Sequence, residues 1–132
     1  MWIHDAVSSS LVRYLMAQGP GYQRKIPVNL DRLKEVLRPG DILLVEGGAR
    51  ISQVIKYLTQ SSWSHAAFYI GDALLRWGGP HAEAALDTYG PAASSLLVES
   101  DMKEGVIAVP LTKYEFHNLR ICRPVGLKPE NL

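Results

Sequence analysis

A histidine and a distant glutamate are the residues of this sequence with the clearest capacity for chemistry. His65 stands at the entrance of an apolar run, residues 66–71, and Glu99 closes another such run, residues 96–99. Both runs are typical of strands, and side chains on neighbouring strands can meet at the rim of a sheet. A histidine that donates an N–H to a carboxylate is a general base with a fixed tautomer, which is half of a nucleophilic hydrolase site. Taken alone, each residue is more often structural or solvated, so the pair needs support from its surroundings.

The sequence offers no convincing nucleophile for this pair. Cys122 is the only cysteine, and it lies within a predicted strand, whereas catalytic cysteines usually open a helix or a sharp turn that supplies oxyanion donors. A mid-strand cysteine is more often a small buried hydrophobic residue, and this is the alternative for Cys122. Ser62 and Ser64 precede His65, but neither belongs to a Gly-x-Ser-x-Gly turn. Cys122 is therefore a candidate nucleophile with a structural role as its alternative.

Composition and charge exclude several classes of function. The chain has 132 residues, 47% of them hydrophobic, and a net charge of +1, without the basic face that nonspecific nucleic-acid binding requires. One cysteine allows no intrachain disulfide, and four scattered histidines indicate no zinc site, so we expect neither metal nor organic cofactor. We also expect no transmembrane segment and no secretory signal. A cytoplasmic location is the default expectation, and a periplasmic or membrane-associated one is the alternative.

The spacing of apolar residues predicts the elements that would position these side chains. It predicts helices over 2–18, 29–36 and 50–59 and strands over 42–45, 66–70, 96–99, 105–109 and 119–123. Residues 71–95 are rich in Ala, Gly and Pro and are expected to form an irregular insertion, with a hairpin arm at 74–77, that walls or covers a cleft. This order indicates an α+β fold with a small, mostly antiparallel sheet or open barrel. We expect an N-terminal helical segment over 1–36 and a core domain over 37–132.

Five short motifs, in a fixed order, carry a resemblance to a known enzyme family. They are residues 37–44 (LRPGDILL), 62–71 (SWSHAAFYIG), 97–99 (LVE), 105–106 (GV) and 120–124 (RICRP). Together they resemble the circularly permuted papain-like cysteine hydrolases of the NlpC type, the bacterial branch related to lecithin–retinol acyltransferase-like proteins. The resemblance covers residues 37–124. It implies a permuted papain-like fold in which a strand histidine comes first, a polar residue follows on the next strand, and the cysteine comes last on a packed helix.

This resemblance implies a role for each candidate residue. His65 matches the family histidine and Glu99 the polar residue that orients it, whereas the family cysteine would lie beyond Pro124 in a helical segment that this sequence does not contain. Cys122 does not match the family cysteine. The implied function is a thiol-dependent hydrolase or acyltransferase that acts on an amide or ester, with cell-wall peptides or lipid acyl groups as substrates by analogy. This chain alone is expected to be inactive.

Two alternatives to catalysis stay open. The first is a degenerate relative that binds a peptide or lipid without turnover, with Trp63, Tyr69 and Trp77 as aromatic walls of the cleft. The second is an N-terminal structural half that assembles with another chain. Without the family's last helix, one face of the sheet would be uncovered, so we also expect either a homo-oligomer that hides this face or a chain of low stability.

Overall fold

The structure is a computed structural model that describes residues 2–17, 27–126 and 128 of the chain. The helices are α1 (Trp2–Met16), α2 (Leu30–Val36), α3 (Arg50–Thr59), α4 (Ala73–Trp77) and α5 (Pro80–Tyr89), with 3₁₀ turns at Gly90–Ser94 and Leu111–Tyr114. The strands are β1 (Ile42–Glu46), β2 (His65–Gly71), β3 (Leu96–Asp101), β4 (Gly105–Pro110) and β5 (Asn118–Cys122). The predicted end of the first helix at residue 18 lies outside the described residues.

The five strands form one open sheet in the order β4-β3-β2-β1-β5, and every neighbouring pair is antiparallel. The sheet and its helices confirm the predicted α+β fold with a small antiparallel sheet. The predicted strands agree with the observed ones to within two residues, because alternating or continuous apolar runs bounded by glycine and proline mark them clearly. β2 is the central strand, so His65 at its start stands between β1 and β3.

The prediction of an irregular insertion over residues 71–95 is wrong, since this segment is mostly helical. It folds into α4, α5 and a 3₁₀ turn, and the proposed hairpin arm at 74–77 belongs to α4. Pro80 occupies the first turn of α5, where a missing N–H costs nothing, and an alanine-rich run continues the helix. Gly79 before the helix and Gly90 after it have φ of 79° and 54°, which suit glycine. Gly79, Pro80 and Gly90 therefore mark helix boundaries, although the glycine and proline content of the segment favours a loop.

The sheet has a core on each face. On the first face, the central residues of the strands pack with the second 3₁₀ turn to form one buried cluster: Leu37, Leu43, Val45, Ala67, Tyr69, Leu97, Val109, Leu111 and Tyr114. Leu30 and Leu33 of α2 pack against this cluster. On the second face, α4, α5 and the first 3₁₀ turn cover one end of the sheet through Ile70, Ala73, Ala85, Ala93 and Leu96. The insertion is therefore the second layer of the domain.

The second face is less well covered over β1 and β5. Ile42, Leu44 and Cys122 are only half-buried there, and Phe68 on β2 is 39% exposed. The sheet register places these four side chains on the same side, because residues two apart on a strand share a face. Part of this face therefore presents apolar surface to solvent.

Candidate functional site

The structure brings His65 and Glu99 together on the first face of the sheet. β2 and β3 are neighbours with Tyr69 paired to Leu97, and this register carries Glu99 to a position diagonal to His65. Nε2 of His65 lies 3.1 Å from Oε2 of Glu99. Between them, Ala67 is buried and small enough to leave room for this contact. The predicted meeting of the two side chains is thus observed.

Two further residues, which no sequence pattern reveals, hold the Glu99 carboxylate. The side chain of Lys113 donates to Oε1, and the hydroxyl of Tyr114 donates to Oε2. Both residues belong to the 3₁₀ turn Leu111–Tyr114, which follows β4 and folds back over β3. In the sequence, these two residues stand out only as a Lys-Tyr pair that follows a strand-ending proline. That pattern does not show where the turn packs. The site is therefore a four-residue cluster rather than a pair.

Glu99 is ionised at neutral pH, because hydrogen bonds from its neighbours lower its pKa more than burial raises it. The residue is only 5% exposed, and this burial by itself raises the pKa of the carboxyl group. Hydrogen bonds from His65, Lys113 and Tyr114 act in the opposite direction and lower the pKa to about 2. Burial, together with the adjacent carboxylate, raises the pKa of Tyr114, so its hydroxyl stays protonated as a donor.

An ionised Glu99 determines which nitrogen of His65 carries the proton. A carboxylate only accepts hydrogen bonds, so Nε2 of the neutral imidazole must be the protonated nitrogen in this contact. Nδ1 then keeps its lone pair and forms no hydrogen bond within the part of the chain that the structure describes. The His65 side chain is 31% exposed, which leaves the ring accessible from outside. Nδ1 is therefore the atom that can accept a proton from a reacting group.

The connector that leads into β2 fixes the position of His65. The Gly47 N–H, just after β1, donates to Oγ of Ser64 at 2.9 Å, and the Ser64 N–H donates to the Val45 carbonyl at 3.1 Å. Gly47 must lack a side chain, because a Cβ there would overlap the Ser52 hydroxyl and lie 2.9 Å from Ser64 Oγ. Ser64 therefore has a structural role as an anchor for the strand that carries His65.

The structure does not bring Cys122 to His65. In the register, Cys122 pairs with Ile42, whereas His65 pairs with Val45 at the other end of β1. This separates the two residues by about 10 Å along the strands. They also face opposite sides of the sheet, since Cys122 lies on the side of Phe68 and His65 on the side of Val45. Cys122 is half-buried at that position, as expected for a packed strand residue.

The three aromatic residues predicted to wall one cleft do not share a pocket. A pocket of about 650 Å³ is lined by Tyr69 and Trp77, but Trp63 is not among its lining residues. Trp63 lies in the connector before β2, two residues before His65. Tyr69 is four residues beyond His65, about 13 Å further along β2. The pocket and the histidine therefore occupy opposite ends of the central strand.

The described residues contain no group of three or more His, Cys, Asp or Glu side chains that could hold a metal ion. Within residues 2–17, 27–126 and 128, no helix is long and apolar enough to cross a bilayer. No protein-family model matches the chain, and no curated protein matches it. Fold and site thus define an α+β domain in which a buried carboxylate orients a histidine, and the resemblance to NlpC-type hydrolases stays a prediction.

Proposed function

We propose that this protein supplies the general base of a thiol-dependent hydrolase or acyltransferase that acts on an amide or ester. The observation that carries the proposal is the 3.1 Å contact between Nε2 of His65 and the ionised Glu99 carboxylate. Such a contact fixes the tautomer of the base and stabilises the imidazolium that forms during proton transfer. The order of the motifs supports the same conclusion, since His65 and Glu99 match the family histidine and its polar partner.

The proposed reaction uses Nδ1 of His65 twice. Nδ1 takes the proton of a thiol, and the thiolate attacks the carbonyl carbon of the substrate to form a tetrahedral intermediate. The imidazolium returns this proton to the leaving amine or alcohol, which leaves an acyl thioester. His65 then deprotonates water, or another acceptor in acyl transfer, and the second attack releases the thiol with its proton. Glu99 keeps Nε2 protonated throughout and balances the charge of the imidazolium.

The thiol in this proposal is not that of Cys122. Cys122 is the only cysteine of the sequence, and it faces the side of the sheet opposite to His65. A longer form of the polypeptide or a partner chain would therefore bring the nucleophile to Nδ1. The resemblance suggests cell-wall peptide amides or lipid acyl groups as substrates.

The test is hydrolysis by the longest natural polypeptide that contains this sequence, with a peptide amide and an acyl ester as substrates. We expect His65→Ala to lower kcat/KM by about 100- to 10,000-fold, as for loss of a general base. Cys122→Ser should leave the rate unchanged, and His81→Ala, on the exposed side of α5, is the matched histidine control. Wild-type rates in His65→Ala, or loss of activity in Cys122→Ser, would overturn the proposal.

The position of Cys122 also favours a second candidate, a module that binds a peptide or lipid without turnover. This candidate needs no thiol near His65, and it predicts that the longest natural polypeptide binds either ligand but hydrolyses neither. Binding that His65→Ala weakens, without turnover in the wild type, would select this candidate over the hydrolase.

A further inference from the structure

A pocket of about 650 Å³ lies at the end of β2 that is far from His65. Its volume falls within the range of about 300–1,000 Å³ that is typical of small-molecule sites. The turn before β1 contributes Arg38 and its neighbours to the lining, and α4 contributes Arg76 and Trp77. Phe68 and Ile70 of β2 complete the part of the lining that matters here. The His65–Glu99 cluster contributes no residue to this lining.

The lining combines apolar surface with an excess of positive charge. Phe68, Ile70 and Trp77 supply apolar surface, and Trp77 is 70% exposed. Three arginines and one aspartate line the pocket, which gives it a formal charge of +2. This excess of positive charge in the lining favours a ligand of opposite charge.

The single carboxylate of the lining is already neutralised. Asp41 is 1% exposed, and it accepts from Nε and a terminal nitrogen of Arg123 at 2.8 and 2.7 Å. It also accepts from the Arg38 N–H at 2.8 Å, so both of its oxygens are occupied. Arg123 donates further to the Val36 carbonyl and is thus part of the framework. Asp41 and Arg123 therefore shape the pocket rather than repel or attract a ligand.

Two guanidinium groups are left to meet a ligand. The Arg38 side chain is exposed and forms no hydrogen bond with any residue that the structure describes. Arg76 pairs with Asp72 at 2.9 Å, but both side chains are at least half exposed, and such surface pairs contribute little free energy, so a bound anion can compete with Asp72 for Arg76. A guanidinium matches the planar oxygens of a carboxylate or phosphate with two parallel N–H donors. The lining of the pocket thus combines guanidinium donors for an anion with apolar side chains.

We infer that this pocket binds a small amphipathic anion, whose head group meets Arg38 and Arg76 while its apolar chain lies against Phe68, Ile70 and Trp77. A carboxylate and a phosphate monoester share this chemistry. The inference does not depend on the hydrolase proposal, since no residue of the His65 cluster takes part. A negative result for the hydrolase proposal therefore does not affect the inference about the pocket, and the reverse also holds.

The test is calorimetric titration of the chain with dodecanoate and dodecyl phosphate, each below the concentration at which it forms micelles. Dodecanol serves as the uncharged analogue and acetate as the head group without a tail. We expect one or both anions to bind. Dodecanol should bind at least about tenfold more weakly because it lacks the charge-assisted pair, which is worth about that factor. Acetate should also bind at least about tenfold more weakly, because it lacks the apolar chain. Whichever of the two anions binds more tightly shows whether the pocket prefers a carboxylate or a phosphate head group.

Variants connect the binding to this pocket. Arg38→Gln should weaken binding of the tighter anion by about tenfold, and Trp77→Ala should weaken it as well. Both side chains are exposed, so the fold should survive, which far-ultraviolet circular dichroism checks. Arg120→Gln is the matched control, because Arg120 is an exposed arginine of β5 outside the lining. Equal binding of dodecanol and the anions, equal loss in Arg38→Gln and Arg120→Gln, or no binding of either anion would overturn the inference.

Discussion

Tyr114 and His65 contact the same oxygen of one buried carboxylate. The hydroxyl of Tyr114 and Nε2 of His65 both meet Oε2 of Glu99, while Lys113 takes Oε1. The two rings lie near each other, with centroids 6.1 Å apart. Because Tyr114 is part of the first-face core, it joins the position of the carboxylate to the packing of the domain. The base of the proposed reaction is therefore aligned by a group that the core itself holds in place.

The ionised state of Glu99 predicts a pH dependence of stability. Its pKa is about 2 in the folded protein and 4.5 ordinarily, so folding favours the deprotonated form. This contribution is complete above the unfolded value and is lost as the pH falls from there through the folded value, with a total of about 3 kcal/mol. Urea unfolding of the wild type and Glu99→Gln, at pH 7 and at successively lower pH, measures it. The stability difference between the two proteins should shrink as the pH falls, and a constant difference would contradict the assignment.

Removing the Tyr114 hydroxyl should destabilise the protein. Tyr114→Phe keeps the ring in the core but leaves a buried carboxylate with one donor fewer, at a cost of about 1–3 kcal/mol in the free energy of unfolding. Tyr57→Phe is the matched control, because Tyr57 on α3 is 76% exposed. Chemical denaturation of both variants measures the effect, and equal stabilities would show that the hydroxyl does not hold Glu99.

Gly47 is closely packed against the connector that positions His65, and a side chain there should destabilise the protein. Gly47→Ala places a methyl group against the hydroxyls of Ser52 and Ser64, and we expect a loss of about 1–3 kcal/mol in unfolding free energy. The double variant Gly47→Ala/Ser52→Ala removes the nearest of these atoms and should recover part of the loss. Denaturant unfolding of the three proteins provides the comparison. A fully stable Gly47→Ala protein would mean that the connector adjusts freely.

The sequence predicted the sheet well because its signal is local. Apolar runs such as residues 42–45 and 105–109 identify strands without knowledge of their partners. Local signals mispredict residues 71–95, because Gly79, Pro80 and Gly90 are typical of loops but lie here at the two ends of α5. Glycine and proline mark boundaries of both kinds, and only the alanine content between them favours a helix.

Of the candidate site, the sequence predicts the His65–Glu99 contact but not the contacts of Lys113 and Tyr114. His65 and Glu99 stand on adjacent strands, so their meeting follows from strand order and alternation. Lys113 and Tyr114 reach Glu99 through a 3₁₀ turn that folds over β3, and no spacing in the sequence encodes that tertiary contact. The pocket between the turn before β1 and α4 was missed because it depends on two segments whose packing the sequence did not reveal.

The tautomer of His65 tests the central claim most directly, because the account requires Glu99 to hold the proton on Nε2 and leave Nδ1 free. Long-range proton–nitrogen correlation spectra of the isotope-labelled chain, at about pH 8.5 where an ordinary imidazole is neutral, distinguish the two nitrogens. The other three of the four histidines serve as internal references. We predict that Nε2 of His65 is protonated and that Glu99→Gln removes this preference. A proton on Nδ1, or an unchanged tautomer in Glu99→Gln, would contradict the account.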